Sequence, residues 1–292
     1  MWLPTSLAIS RPKPFSMTKK DKQFVQTVLS YHTTHGRHAL PWRKTTNPYH
    51  IVVSELMLQQ TQVDRVIPKY QTFIKAYPDA PTLAAASLSD VLTLWQGLGY
   101  NRRAKLLHEC AMTVVEEKEG MWPRDYAELQ TLPGIGPYTA AAVMAFAYNI
   151  AIPLVETNVR TVYLYHCFTK ETDVTDAAIL KRVAAHLADL ETLEIRPRTW
   201  YAALMDYGTH LKKTHGNPNS RAKTFMKQST FAGSDRQIRG AIVRALTVSS
   251  STRAKLLKTL SQFEDIRIDA QLTKLQDEGM VTKLKQTYQL PQ

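Results

Sequence analysis

Leu132-Pro133-Gly134-Ile135-Gly136-Pro137-Tyr138-Thr139-Ala140-Ala141 decides how the rest of the chain is read. Leu132-Pro133-Gly134 is a stop signal, so a preceding helix should end near Thr131. Pro137 suits the first position of the next helix, where its missing N–H costs nothing. Gly134 and Gly136 permit positive φ in the turn and leave backbone N–H groups uncovered. Donors of that kind at a helix N-terminus form a phosphate site. A plain turn between packed helices is the other reading, and it does not call for two glycines at this spacing.

Outward from this hairpin the helical period continues in both directions. Residues 20–31 carry Phe24, Val25, Val28 and Leu29 on one stripe, and residues 49–58 carry Ile51, Val52, Leu56 and Met57. The pattern repeats over 63–76, 83–86, 88–96, 102–118 and 139–147, with short punctuators such as Asn47-Pro48, Gly97-Leu98-Gly99 and Trp122-Pro123 between. Alternating runs are scarce before residue 280, so the body is expected to be all-α with short loops. From Thr209 to Phe231 the period lapses into a basic stretch holding Lys212, Lys213, Arg221, Lys223 and Lys227, which reads as a solvated linker. Residues 236–246, 252–260 and 269–276 then read as three helices, and 280–290 as two strands about a turn. That is the plan of a small winged-helix-like module over 232–292, after a main domain over 17–231.

Composition narrows the function. The 292 residues allow one or two domains, and 44% hydrophobic residues supply a packed core. No apolar run is long enough to span a membrane. Residues 1–16 place their apolar stretch before the positive charges, the wrong order for a secretory signal, and read as a disordered leader with Met17 as an alternative start. A cytoplasmic location follows, associated with a nucleoid in a bacterium. Cys110 and Cys167, the two cysteines, exclude a disulfide framework and any four-cysteine zinc or iron–sulfur site. With 37 Lys+Arg against 25 Asp+Glu, the net charge of +12 points to a polyanion such as nucleic acid. The glycine-bearing turn then reads as a helix–hairpin–helix element, which grips a DNA backbone without reading its sequence.

Two carboxylates stand out. Glu55 lies among Val52, Val53, Leu56 and Leu58. Desolvation there would raise its pKa and suit it to general acid work, although a solvent-facing Glu on an amphipathic helix gives the same pattern. Glu156, in Val155-Glu156-Thr157-Asn158-Val159-Arg160, stands at a helix entry where N–H groups would keep it ionised; a plain helix cap is the alternative. One protonated and one charged carboxyl is the arrangement that cleaves a glycosidic bond.

Leu40-Pro41-Trp42-Arg43, Ser54 to Val63, Trp95-Gln96-Gly97-Leu98-Gly99-Tyr100 and the hairpin together resemble the adenine DNA glycosylases of the MutY type, in the endonuclease III superfamily. The likeness runs in order from Phe24 to Gly208. It implies a two-lobed all-α fold with double-stranded DNA between the lobes, a flipped purine and metal-free hydrolysis of its N-glycosidic bond. By the resemblance Glu55 protonates the leaving base, and Glu156 matches the aspartate that stabilises the oxocarbenium-like sugar, or bonds to it transiently, before water attacks. Asn158 and Tyr138 support that site. Gln60 and Tyr100 wedge into the base stack, and Thr61 and Leu98 touch the orphan base. Gly134, Gly136, Lys212 and Lys213 engage the backbone, and Trp42, Arg43, Leu58 and Val63 line the base pocket. The expected substrate is a duplex with adenine opposite 8-oxoguanine or guanine, bound by a monomer.

The departures from the family are as telling. Tyr138 replaces the lysine that forms a Schiff base in bifunctional members, so strand nicking is not expected. Glu156 is one methylene longer than the family's aspartate, and Ala202 stands near a position where the family has a polar residue. The four cysteines that hold a [4Fe–4S] cluster are missing after Gly208, which resembles the clusterless branch, where basic side chains and local packing, here over residues 209–231, replace the cluster loop. Residues 235–292 are too short and too differently patterned to be expected to form the family's 8-oxoguanine-reading C-terminal domain. Other readings are a thymine or uracil mismatch glycosylase and an inactive DNA-binding protein. Glu55 argues against the pyrimidine option, because adenine gains from ring protonation whereas a pyrimidine leaves as an anion.

Overall fold

Residues 48–58 and 137–146 carry apolar side chains on nearly every face, and helices of that kind have to be surrounded by others. The structure, a computed structural model that describes residues 17–226 and 230–292, surrounds them. In chain order its helices are α1 (Lys19–His35), α2 (Pro48–Leu58), α3 (Val63–Ala76), α4 (Ala80–Ala84), α5 (Leu88–Trp95), α6 (Arg102–Glu117) and α7 (Tyr126–Leu129). They continue as α8 (Pro137–Phe146), α9 (Thr157–His166), α10 (Asp176–Thr192), α11 (Pro197–Thr214), α12 (Asp235–Val248), α13 (Arg253–Thr259) and α14 (Asp265–Asp277). Among the described residues three short strands, β1 (Ser251–Thr252), β2 (Thr282–Leu284) and β3 (Thr287–Gln289), accompany the helices. The expected leader and Lys227 lie outside the described residues. No described helix is long and apolar enough to cross a membrane.

The chain forms two units, one made of the segment up to Arg37 with Asn149–Phe225, the other of His38–Tyr148 with Met226–Gln292. In the first, Thr18 and Asp21 close a reciprocal capping box on α1. Phe24 then meets the rings of Tyr163 and Trp200 edge-on at 5.6 and 5.7 Å. Each buried side chain of this kind contributes about 1.5–3 kcal/mol, enough to hold α1 on α9 and α11. At the other end of α1, buried Asp206 of α11 accepts bonds from His32 Nδ1 (2.9 Å), Arg37 N (3.1 Å) and Arg37 Nε (2.6 Å).

The expected lapse at Thr209 is corrected here. α11 runs on to Thr214 because Leu211 is buried and His210 stacks on Tyr31 at 4.6 Å, which keeps the last turn on the core. The stretch beyond is no solvated linker either. Buried Asn219 donates through Nδ2 to the Thr157 carbonyl (3.1 Å) and Thr161 Oγ1 (2.9 Å). Arg221 donates to the carbonyls of Leu164 and Phe168, and Val174 bridges Ala222 in parallel. The segment is clasped to α9.

In the second unit α2 and α8 form the centre, packed by α3 and α6. The terminal segment shows the expected helices and hairpin, with two differences. α14 begins at Asp265, four residues before the expected start, because Ile268, just ahead of that start, is already buried. β1, too short to show any period, pairs antiparallel with β3 (Ser251 opposite Tyr288), giving the order β1-β3-β2. α12 packs on α5, and Ser89 N–H donates to the Pro291 carbonyl at 3.0 Å, so this module is continuous with the helical body of its unit.

Candidate active site

The hairpin is built as its glycines suggest, but only one of them needs to be glycine for its backbone. Gly134 has φ +75°, and a Cβ there would lie 2.9 Å from Leu106 Cβ. Gly136 does not use the left-handed region. It caps α8 with φ −86° and ψ 178°, ordinary extended backbone. Leu132 and Ile135 are buried and fix the turn from below, and Ile135 N–H donates to the Leu132 carbonyl at 3.1 Å. The exposed Gly136 therefore leads the first-turn N–H groups of α8 outward. An N-terminus so placed favours an anion.

Within its first turn α8 reaches α2. Tyr138 donates through its hydroxyl to Glu55 Oε2 at 2.8 Å. Glu55 is 5% exposed, because α2 is buried on nearly all sides and offers no solvent-facing position at its centre. The solvent-facing alternative is thereby excluded. A buried carboxyl with one oxygen fixed by a phenol is oriented and poorly solvated, as a proton donor to a bound base must be. Trp42 is buried edge-on against Tyr70 at 5.4 Å, whereas Arg43, Leu58 and Val63 are half-buried.

The two loops at 59–62 and 96–101 are strained and jointly anchored. Gln60 (φ 53°) and Tyr100 (φ 49°) both occupy the left-handed region, which is costly for side chains of this size. The Tyr100 hydroxyl donates to Gln60 Oε1. Behind them lies Arg103, which no sequence pattern singled out. Its guanidinium donates to the carbonyls of Leu56, Met57 (3.1 Å), Gln59 (2.7 Å), Leu98 (3.3 Å), Gly99 (3.0 Å) and Tyr100 (3.4 Å), and to Thr61 Oγ1 (3.3 Å). Burial lowers its pKa to about 10, so it stays charged at neutral pH, compensated by carbonyl dipoles. Thr61 is half-buried, and Leu98 turns its side chain inward at 5% exposure.

In the other unit Glu156 caps α9, accepting from Asn158 N (2.6 Å) and Val159 N (2.8 Å) and from Asn158 Nδ2 (3.2 Å). These backbone donors, with Lys212 and Arg160, favour the ionised form, as the helix entry suggests. Burial raises the Glu156 pKa above the ordinary glutamate value, against the opposing pull of the cap bonds, Lys212 and Arg160. Lys212 is half-buried beside this carboxylate, and its own pKa is lowered by burial more than Glu156 raises it. Lys213 is exposed. Gly208 of α11, whose role the sequence did not reveal, admits Asn158: a Cβ there would lie 2.5 Å from the Asn158 carbonyl oxygen. The segment after α11 contains no cysteine, and Asn219 and Arg221 hold it to α9 by hydrogen bonds; with Cys110 and Cys167 the only two thiols in the sequence, the residues present do not fit a four-thiolate iron–sulfur group. No set of three or more potential metal ligands is grouped among the described residues.

Residues 53–189 match the HhH-GPD superfamily of base excision DNA repair proteins. The chain is similar to the adenine DNA glycosylase of Mycolicibacterium smegmatis, 39% identical over 249 residues covering 78% of this chain and 83% of that one. It is also similar to the adenine DNA glycosylase of Mycobacterium tuberculosis, at 36% over 237 residues covering 74% and 77%. Among solved structures it resembles a thermostable thymine-DNA glycosylase, with TM-score 0.54, 28% identity and coverage of 65% and 86%. An endonuclease III in a non-covalent complex with DNA shares the fold, with TM-score 0.51, 18% identity and coverage of 68% and 87%.

Proposed function

Because the chain belongs to the HhH-GPD superfamily of base excision DNA repair proteins, within its MutY-type adenine glycosylase branch, we propose that it is a monofunctional DNA glycosylase that removes adenine mispaired with 8-oxoguanine or guanine. The observation that carries this reading is Glu55, buried in α2 with Tyr138 donating to its carboxyl. In the proposed reaction Glu55 protonates a ring nitrogen of the flipped adenine, so that a neutral base leaves. Glu156, steadied by Asn158, stabilises the positive charge that grows on the sugar before water attacks. The α8 N-terminus and the exposed Lys213 take phosphates, and Lys212 acts through Glu156. Gln60 and Tyr100 enter the base stack, which offsets part of the few kcal/mol that flipping costs. The reading includes no iron–sulfur cluster and no lyase step.

The 28% identity to a thymine-DNA glycosylase supports a second reading, a thymine or uracil mismatch enzyme. A panel of duplexes separates the two. Single-turnover incubation followed by alkali should give strand breaks at adenine opposite 8-oxoguanine or guanine, and none at thymine or uracil opposite guanine. Breaks at the pyrimidines alone would replace the first reading with the second.

A further inference from the structure

Residues 59–62, residues 96–103 and one side of α12 enclose a groove of about 940 Å³. Six arginines line it, and among the described residues no aspartate or glutamate does. Three of them are committed. Arg103 is buried against carbonyls, Arg65 donates to the Gly97 carbonyl, and Arg239 pairs with Glu278 at 2.5 Å. Arg102 and Arg244 are exposed. Arg236 places its guanidinium over the Tyr100 ring at 5.4 Å and donates to the Tyr100 hydroxyl, which itself donates to Gln60. Midway along α12, Gly240 opens the wall, because a Cβ there would meet no atom within 4 Å. The helix forgoes about 1 kcal/mol of helix propensity at that glycine.

Several guanidinium groups in one groove with no carboxylate repel one another and attract a polyanion. The guanidinium groups of Arg103 and Arg236 each lie 5.4 Å from the Tyr100 ring centroid, so the ring ties this charge to the strained loop. We propose that this groove holds the DNA strand facing the extruded nucleotide, with Arg102 and Arg244 on its phosphates and Arg236 as a positioning residue that fixes Tyr100 and Gln60. The inference rests on the DNA glycosylase reading above. It gives the terminal module a role in substrate binding through α12, the helix that turns its arginines toward the strained loops.

Affinity for a duplex with a non-cleavable target nucleotide tests the groove independently of which base is excised. Arg244→Ala should reduce the slope of log affinity against log salt by about 0.9, one phosphate contact. Gly240→Glu, which places a carboxylate in open space, should weaken binding about tenfold at low salt while the unfolding midpoint stays level or rises. Neutral methylphosphonates in the facing strand should abolish the difference between Arg244→Ala and the parent, and the same change in the target strand should preserve it. For Arg236, 2-aminopurine in the facing strand reports the wedge: Arg236→Ala should lose the fluorescence rise seen with the parent, and Arg236→Lys should restore only part of it. Unchanged slopes and affinities, or a difference erased by the target strand instead, overturn the groove; an unchanged 2-aminopurine signal in Arg236→Ala overturns the positioning role. Failure of the parent to excise adenine, with these binding differences present, removes the proposed substrate and leaves the groove standing.

Discussion

Glu156 shows how a site residue can work against the stability of its own fold. Burial raises its pKa, so between the unfolded glutamate value and the folded one the native state binds more protons, and stability falls as pH rises through that window. Glu156→Gln removes the titration while keeping an oxygen for the cap. Its unfolding midpoint should therefore equal or exceed the parent's at pH 7, the advantage shrinking as pH falls toward 4.5, while base excision is largely lost. Paired melting curves at pH 7 and pH 5 and a single-turnover rate check both halves. Arg103 is the opposite case, a residue whose value is structural. Arg103→Met would strip donors from six carbonyls and a hydroxyl, and we expect a loss of about 3 kcal/mol in urea unfolding. Glu55 and Glu156 were legible because an acid among apolar neighbours, or before a helix, is unusual in itself. Arg103 was not, since an arginine between Arg102 and Ala104 on an amphipathic helix resembles any solvated cation. Its partners converge from two loops that only the tertiary fold brings together.

Among the elements, the hairpin and most helices of the second unit could be read from the sequence because their apolar residues keep one period for two or more turns. α9 was read only at its entry, and α10 and α11 were not read as helices. In the last turn of α11 a single buried leucine and a histidine stack do the anchoring, too little to register as a period. The segment after it looked like a basic linker because Asn219 and Arg221 are polar by type, although both spend their donors on α9. The contact between α11 and α9 depends on Gly208. Gly208→Ala forces a methyl against the Asn158 backbone, which cannot yield as a side-chain tip would. Overpacking of this kind costs about 1–3 kcal/mol, and the shift carries the Glu156 cap with it. The variant should melt lower than the parent and excise more slowly; a parent-like melting curve and rate would show that α9 has room the geometry does not suggest.

For the whole molecule, the pattern of chemistry follows from which nucleophile is present. A lyase needs an amine that attacks C1′ and forms an imine, and Tyr138 offers a phenol at the hairpin position where the bifunctional relatives carry lysine. Borohydride added during turnover should therefore trap no covalent protein–DNA adduct above background, and the product strand should stay intact until alkali is added. A stoichiometric trapped adduct would assign the chain to the bifunctional type. The central claim is acid catalysis by a carboxyl that the fold buries in α2, and it is tested most directly by the single-turnover excision rate of Glu55→Gln on a duplex with adenine opposite 8-oxoguanine. The account predicts that this variant binds the duplex as the parent does and releases adenine at least about 10²-fold more slowly; release at the parent's rate would contradict it.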